Sequence, residues 1–188
     1  MEEIDGVEVI TLADAVAWDA WLAEHHARRE GVWIAVAKLG SGVASVTSDE
    51  LVDGGLCWGW ISGQRRRLDD RTYLQRYVPR RPASLWSRVN VDKVDALLAA
   101  GRMQEPGLAE VRAAQADGRW DAAYVSQREA TPPPELLDAL ARDPGARAAF
   151  EALDRSSQYQ LYLPVLQARN ATTRVARVER AVATLRST

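Results

Sequence analysis

The alternation of apolar and polar residues near the N-terminus predicts a strand, a helix and a second strand. Residues 6–12 (GVEVITL) alternate and are rich in β-branched side chains, which favours a strand. Residues 13–29 carry Trp18, Trp21 and Leu22 at helical spacing and end before Gly31. Residues 31–38 form a short apolar run, typical of a buried strand. These elements predict a small sheet.

The next segments predict a capped helix and a hairpin. Thr47 or Ser48 has a side chain suited to cap a helix that continues toward Leu56. Residues 61–78 contain the polar break LDDRT, and so predict two strands with a turn near Asp69 and Asp70.

The rest of the chain predicts helices. One begins near Ser84 or Ser87 and stops at Gly101, and a second has Pro106 in its first turn and ends before Gly118. Three consecutive prolines mark a linker in residues 126–138. Further helices are predicted over residues 134–142, 146–153, 156–169 and 172–185. The predicted fold class is α+β: a small N-terminal mixed sheet with a hairpin and packed helices (residues 1–128), followed by an all-helical C-terminal unit (residues 132–188).

Composition and charge limit the classes of function. Hydrophobic residues make up 47% of 188 residues, enough for a core, and the formal net charge of −2 disfavours a globally basic nucleic-acid binder. Cys57 is the single cysteine, which precludes an intramolecular disulfide. The acidic N-terminus lacks the features of a signal peptide, and no apolar run is long enough for a membrane span, so we expect a soluble, cytoplasmic protein.

The stretch GLCWGWISGQRRRLDDRTYLQRYVPRRPASLWSRVN, residues 55–90, resembles the YdeI/OmpD-associated family, also called bacteriocin-protection proteins. The motifs that carry the resemblance are GWISG at residues 59–63, the arginine-rich run at 65–70, PRR at 79–81 and SLWSRVN at 84–90. GRM at residues 101–103 and GRW at 118–120 also match.

The C-terminal half is similar to the helical domain of the same family. Residues 132–153 (PPPELLDALARDPGARAAFEAL) resemble its proline-led start, and residues 168–182 (ARNATTRVARVERAV) resemble its end. Two positions depart from the pattern, since Ser62 stands where the family commonly has Asp, and Ala176 where it commonly has Arg. The resemblance implies the fold and a soluble bacterial protein associated with bacteriocin or stress resistance.

Arginine clustering suggests three alternative roles for the hairpin. Residues 64–88 contain eight arginines against two acidic residues: Arg65, Arg66, Arg67, Arg71, Arg76, Arg80, Arg81 and Arg88. Strand alternation places Arg65 and Arg67 on one face and Arg66 on the other. The arginines either crosslink the hairpin to its neighbours, grip an anion between aromatic walls, or contact single-stranded nucleic acid.

Candidates for catalysis are few. His25 and His26 end a helix and suit its dipole, and Cys57 between apolar neighbours suits a buried packing role. Asp69 and Asp70 are adjacent and diverge on a strand or turn, which makes them a poor acid–base pair. No sequence pattern for zinc, a phosphate-binding loop or a dinucleotide is present.

At the C-terminus, Thr173, Arg174 and Arg177 share a helical flank with Arg180. We expect this basic face to pair with Glu179 or Glu151; alternatively, Arg174 completes an anion site.

These patterns favour a non-catalytic protein that binds a small anionic or aromatic molecule in a bacterial stress or antimicrobial-resistance role. The alternative is an enzyme that modifies a small molecule, with Asp69, Asp70 or Tyr73 as proton carriers; nucleic-acid binding ranks third. We predict no cofactor and no metal, and the sequence indicates no oligomeric state. The predicted ligand-binding residues are Trp58, Trp60, Gln64, Arg65, Arg67, Tyr73, Arg80, Trp86 and Asn90.

Overall fold

A computed structural model describes residues 2–125 and 129–187. Within those residues it contains five strands and eight helices. The strands are β1 (Glu2–Ile4), β2 (Val7–Thr11), β3 (Val32–Ala37), β4 (Trp60–Arg67) and β5 (Thr72–Pro79). The helices are α1 (Ala15–His25), α2 (Ser48–Cys57), α3 (Arg88–Ala99), α4 (Glu105–Ala116), α5 (Pro134–Ala141), α6 (Pro144–Ala152), α7 (Arg155–Leu166) and α8 (Ala171–Arg186). The predicted α+β class is confirmed.

The strands form one mixed sheet in the order β1-β2-β3-β5-β4. Strands β2 and β3 are parallel, as expected when a helix connects them, and the other neighbouring pairs are antiparallel. The β4–β5 hairpin adds through β5 to the free edge of β3, so β4 is an edge strand.

Strand β1 was not predicted. It pairs with β2 through the two-residue turn Asp5–Gly6, and both residues have positive φ (55° and 72°). Asp-Gly turns of this kind match the twist of a hairpin. The Asp-Gly dipeptide was therefore the signal in the sequence for this hairpin. The acidic residues Glu2 and Glu3 before it do not suggest a strand.

The predicted cap of α2 is confirmed at Thr47. Its hydroxyl accepts from the Glu50 backbone N–H at 3.2 Å, and the Glu50 carboxylate accepts from the Thr47 N–H at 2.8 Å. This reciprocal pair is a capping box, which satisfies N–H groups that the helix itself leaves without partners. The helix therefore begins at a position that its local sequence specifies.

Helices α1 and α2 cover one face of the sheet. Trp18 is fully buried and donates its indole N–H to the Leu51 carbonyl at 3.1 Å, which ties the two helices together. Ile34 of β3 and Tyr77 of β5 belong to the same core. Burial of such aromatic and aliphatic side chains contributes about 1.5–3 kcal/mol each before the entropic cost is counted.

The ends of α3 and α4 follow the sequence signals. The Ser87 hydroxyl accepts from the Asn90 N–H at 3.2 Å, so Ser87 caps α3. Gly101 has φ +65° just beyond α3, and Pro106 lies in the first turn of α4.

The C-terminal helices form a separate core. Leu136, Phe150, Tyr162 and Val165 pack together, and Tyr162 donates its hydroxyl to the Ala130 carbonyl at 3.2 Å. Every regular element that the structure describes from α5 to α8 is a helix.

Contacts group the chain into two compact units. The first comprises Met1–Ser84 and Asp92–Ala113, and the second comprises Leu85–Val91 and Ala114–Thr188. The predicted boundary near residue 128 falls on residues 126–128, which lie outside the described part of the chain. The proposed division at that point stays a prediction.

The expected pairing of the C-terminal basic face was wrong. Glu151 pairs with Arg147, four residues earlier on α6, at 2.8 Å. Arg174 lies 3.7 Å from Glu135 on α5. The i, i+4 pair forms because neighbours on one helix face are already close.

The close approach of α4 to the end of α2 can be tested by substitution of Gly107. A Cβ at Gly107 would lie 2.2 Å from the Cys57 carbonyl oxygen and 2.6 Å from that of Leu56, and backbone atoms cannot move aside. We expect Gly107→Ala to lower the free energy of unfolding by about 1–3 kcal/mol, measured by urea unfolding. Gly145→Ala, also in a helix but with its nearest neighbour at 3.6 Å, is the matched control and should be neutral or stabilising. Equal effects of the two changes would contradict the close approach.

Candidate functional site

The register of the hairpin divides its arginines between two faces. Arg65 lies opposite Gln75 and Arg67 opposite Tyr73, while Arg66 lies opposite Leu74. Tyr73 pairs with Val36, a core residue. Arg65 and Arg67 therefore lie on the helix-covered side of the sheet, and Arg66 on the other, as strand alternation predicts.

A buried amide holds Arg65 in place. Gln75 is 6% exposed, and its amide nitrogen donates to the carbonyls of Gly63 (3.0 Å) and Gln64 (3.1 Å), which lie in the irregular segment of β4. Its amide oxygen accepts from Arg65 Nε at 3.1 Å. The guanidinium carbon of Arg65 lies 4.2 Å from the centroid of the Tyr73 ring, a cation–π contact.

On the face of the sheet opposite α1 and α2, two arginines pack against the protein itself. Arg66 pairs with Asp5 at 2.6 Å, and its guanidinium lies 4.9 Å from the ring centroid of Trp33. Arg76 lies 5.5 Å from the same ring and donates to the Glu30 carbonyl. Burial, followed by the positive charge of Arg66, lowers the pKa of Arg76. Trp33 is 2% exposed, so these two arginines cover an otherwise open indole.

The carboxylates of Asp69 and Asp70, in the hairpin turn, both bond to neighbouring residues of the hairpin. Asp69 accepts from the hydroxyl of Thr72 and from the backbone N–H groups of Arg71 and Thr72, and these bonds lower its pKa. Asp70 pairs with Arg67. Both carboxylate oxygens of Asp69 already accept hydrogen bonds within the turn, so the geometry disfavours the alternative of acid–base catalysis by Asp69.

The two neighbouring tryptophans have different environments. Trp60 is 1% exposed, donates to the His26 carbonyl at 3.0 Å and meets Trp21 edge to face at 5.6 Å between centroids. Trp58 is half-buried and donates to Asp19 Oδ1 at 2.7 Å. Trp60 is thus a core residue, whereas Trp58 lies nearer the surface.

The remaining predicted residues are distributed over both units. Arg80 is buried in the first unit. Trp86 and Asn90 belong to the second, where Trp86 packs against Trp120 at 4.8 Å between centroids. Gln64 is exposed on β4 beside Arg65. Among the predicted residues, Arg67 lies opposite Tyr73 in the hairpin register, and the guanidinium of Arg65 contacts the Tyr73 ring.

A cavity of about 560 Å³ in the first unit includes Tyr73. Its other lining residues come from the segment between β3 and the first turn of α2: Ala37, Lys38, Leu39, Gly40, Ser41, Gly42, Val43, Ser45, Val46, Thr47, Ser48 and Asp49. Gly40 and Gly42 have positive φ, which glycine adopts at little cost. The side chain of Leu39 is fully exposed beside the cavity.

The charged residues of the cavity lining are Lys38 and Asp49. The Lys38 ammonium donates to the backbone carbonyls of Asp69 (2.8 Å) and Asp70 (3.3 Å), which are uncharged acceptors. The carboxylate of Asp49 lies 2.8 Å from Lys93 Nζ, which is shared with the carboxylate of Asp53 at the same distance. Sequence reasoning missed this segment, although the glycine- and serine-rich run GSGVAS between a strand and a capped helix was an available signal.

The fold and cavity define an α+β protein with a helical C-terminal segment and a cation-bearing pocket beside its hairpin. Residues 10–110, more than half of the chain, match the model of the family described as Domain of unknown function (DUF8412), and the chain belongs to that family. Residues 129–187 match the model described as Bacteriocin-protection, YdeI or OmpD-Associated, which confirms the resemblance inferred from the C-terminal half of the sequence. The motif at residues 55–90 falls within the first match. No curated protein and no solved structure matches the chain.

Across residues 2–125 and 129–187, none of the helices combines the length and the apolar character that crossing a bilayer requires.

Cys57 provides a test of the non-catalytic interpretation. Burial raises the pKa of its thiol from 9.0 to about 11, so the folded protein holds it protonated. At pH 8 we expect alkylation by iodoacetamide to be about a hundredfold slower in the native protein than in urea, because the thiolate is the nucleophile. The raised pKa also predicts that stability contributed by the protonated thiol is present below pH 9 and lost as pH rises toward 11.

Because Cys57 is the single cysteine, the alkylated mass reports on it alone. Equal rates in the folded and unfolded protein would contradict the buried, protonated thiol.

Proposed function

We propose that the protein is a non-catalytic binding protein for a small anionic or aromatic molecule and that it acts in the cytoplasm in bacterial stress or antimicrobial resistance. The match of residues 129–187 to the bacteriocin-protection family suggests a protective or stress role. The cavity beside Tyr73 supports the finer proposal of ligand binding.

The observation that carries the proposal is the pairing of an aromatic wall with positive charge. Tyr73 lines the cavity, and Arg65 lies 4.2 Å from the centroid of its ring. The Nε–H of Arg65 donates to the side-chain oxygen of Gln75, which holds the guanidinium in place. The Arg65 side chain therefore loses less conformational entropy when a ligand binds. Lys38 adds a second cation whose neighbours are carbonyls.

The size and lining of the cavity suit this ligand class. A volume of about 560 Å³ lies within the roughly 300–1,000 Å³ typical of small-molecule sites. Leu39 and Val43 supply apolar surface, and Ser41 and Ser45 supply hydroxyls. An aromatic carboxylate would place its ring against Tyr73 and its charge near Lys38 and Arg65.

Of the nine predicted ligand-binding residues, the proposal rests on Arg65 and Tyr73. Gln64 lies beside Arg65 on the exposed strand β4. Trp60 contributes to the core beneath the hairpin, since its indole is buried and already bonded to His26.

Binding is tested with a panel of aromatic carboxylates and their uncharged amides, using thermal unfolding and then isothermal calorimetry. A carboxylate at about 100 times its Kd should raise the Tm by about 5–10 °C, and its amide should shift Tm less. Arg65→Gln and Lys38→Gln should each weaken binding by about 10- to 100-fold, since each removes a charge-assisted contact. Tyr73→Leu should weaken it by up to about tenfold.

The predicted residue Arg67 is left out of the proposed site because it does not line the cavity and pairs with Asp70, so Arg67→Gln is the matched control for Arg65→Gln. Arg67 lies on the same strand and the same face, but its side chain is 74% exposed and pairs with Asp70. We expect it to leave affinity unchanged. A panel without any Tm shift, or an equal loss with Arg67→Gln, would refute binding at this cavity.

The protective role is tested separately by expressing the protein in a bacteriocin-sensitive bacterium. The wild-type chain should increase survival, and Arg65→Gln and Tyr73→Leu should abolish the increase at equal soluble protein levels, whereas Arg67→Gln should not. Protection that persists in both site variants would separate the resistance role from this cavity.

A further inference from the structure

A second concave surface lies in the helical unit, between α5 and α8. This groove has a volume of about 630 Å³. The lining residues are Glu135, Asp138, Ala139 and Arg142 of α5 and its end, Asp143, and Ala171, Arg174, Val175, Val178, Glu179, Val182 and Arg186 of α8. It is independent of the cavity beside Tyr73, which belongs to the first unit.

Two ion pairs show that α5 and α8 run in the same direction. Glu135, in the first turn of α5, lies 3.7 Å from Arg174, in the first turn of α8. Asp143, just beyond α5, lies 2.6 Å from Arg186 at the end of α8. The groove therefore has both helix N-termini at one end and both C-termini at the other.

The floor of the groove is apolar. Val178 and Val182 are less than one-tenth exposed, and Ala139 lies across from them on α5. Val175 is 57% exposed on the same stripe. Apolar residues at positions i, i+3 and i+7 of α8 form a face of the kind that packs against another helix.

Charges along the groove vary with position. Asp138 and Glu179 lie on opposite helices at the middle level, between the two ion pairs, and Arg142 lies one turn further along α5. Among the described residues, none forms a hydrogen bond or ion pair with these three side-chain charges. The groove thus presents a negative centre and a positive C-terminal end.

We infer that this groove binds an amphipathic α-helix of a protein partner, which lies antiparallel to α5 and α8. The lining of α8 extends from Ala171 to Arg186, about 22 Å at 1.5 Å per residue, which is the shape of a helix rather than of a small molecule. An antiparallel helix also opposes its dipole to the two aligned dipoles of the groove.

The charge pattern defines the partner sequence. A basic side chain faces Asp138 and Glu179, and an acidic side chain faces Arg142. Because Asp138 and Arg142 are one turn apart and the partner is antiparallel, its acidic residue precedes its basic residue by four positions. Glu at i and Lys at i+4 also stabilise an isolated helix, so the same pattern favours the bound conformation.

The test uses two synthetic fluorescent peptides of about 16 residues, the length of α8. Both carry a leucine stripe at helical spacing, and one has Glu at i and Lys at i+4 while the other exchanges the two. Fluorescence anisotropy with the full chain should show the first peptide bound at least about tenfold more tightly than the second, with the difference reduced by added salt.

Substitutions in the groove test whether the preference for one peptide over the other arises there. Val175→Glu should abolish binding of both peptides, while Val16→Glu, at a 76% exposed valine of α1 in the other unit, should leave it unchanged. The double change Asp138→Lys and Glu179→Lys should reverse the preference between the two peptides. All of these side chains are exposed, so circular dichroism should show unchanged folding.

Several results would overturn the inference. These are no binding of either peptide up to about 1 mM, equal binding of both peptides, or binding insensitive to Val175→Glu. A dimer that Val175→Glu dissociates, without peptide binding, would instead assign the groove to a second copy of the chain.

Discussion

The side-chain amide of Gln75 holds the hairpin in the register on which the arrangement of the first unit depends. It satisfies two carbonyls of the irregular segment in β4 and accepts from Arg65. Side chains alternate between the faces of a strand, so a slip by one residue would exchange Arg65 with Arg66. The amide therefore determines which guanidinium contacts Tyr73 and which one covers Trp33.

Most of the arginine-rich hairpin is used within the protein. Arg66 and Arg76 cover an indole, Arg67 pairs in the turn, and Arg71 donates to the Ser41 carbonyl. Guanidinium groups suit this use because one fork can meet a carboxylate, a carbonyl and an aromatic face together. The positive charge near the cavity thus comes from Lys38, which lines it, and from Arg65 and Arg71, which contact the lining residues Tyr73 and Ser41.

The two units present different surfaces. In the first, a glycine-rich segment between β3 and α2 encloses a cavity with an aromatic wall and a positive charge. In the second, two helices enclose an apolar groove of mixed charge. The family matches, residues 10–110 and 129–187, cover these two surfaces separately.

Local signals in the sequence determined most elements. The alternation in residues 6–12, the capping box at Thr47 and the turn at Asp69 each act within a few residues, and the family motifs identified the helical C-terminal domain. Tertiary structure decided what local patterns do not encode. It buried Trp60, it placed Tyr73 in the wall of the cavity formed by residues 37–49, and it paired Arg174 with Glu135. These outcomes depend on distant segments meeting in space, and chain spacing carries no information about which segments meet.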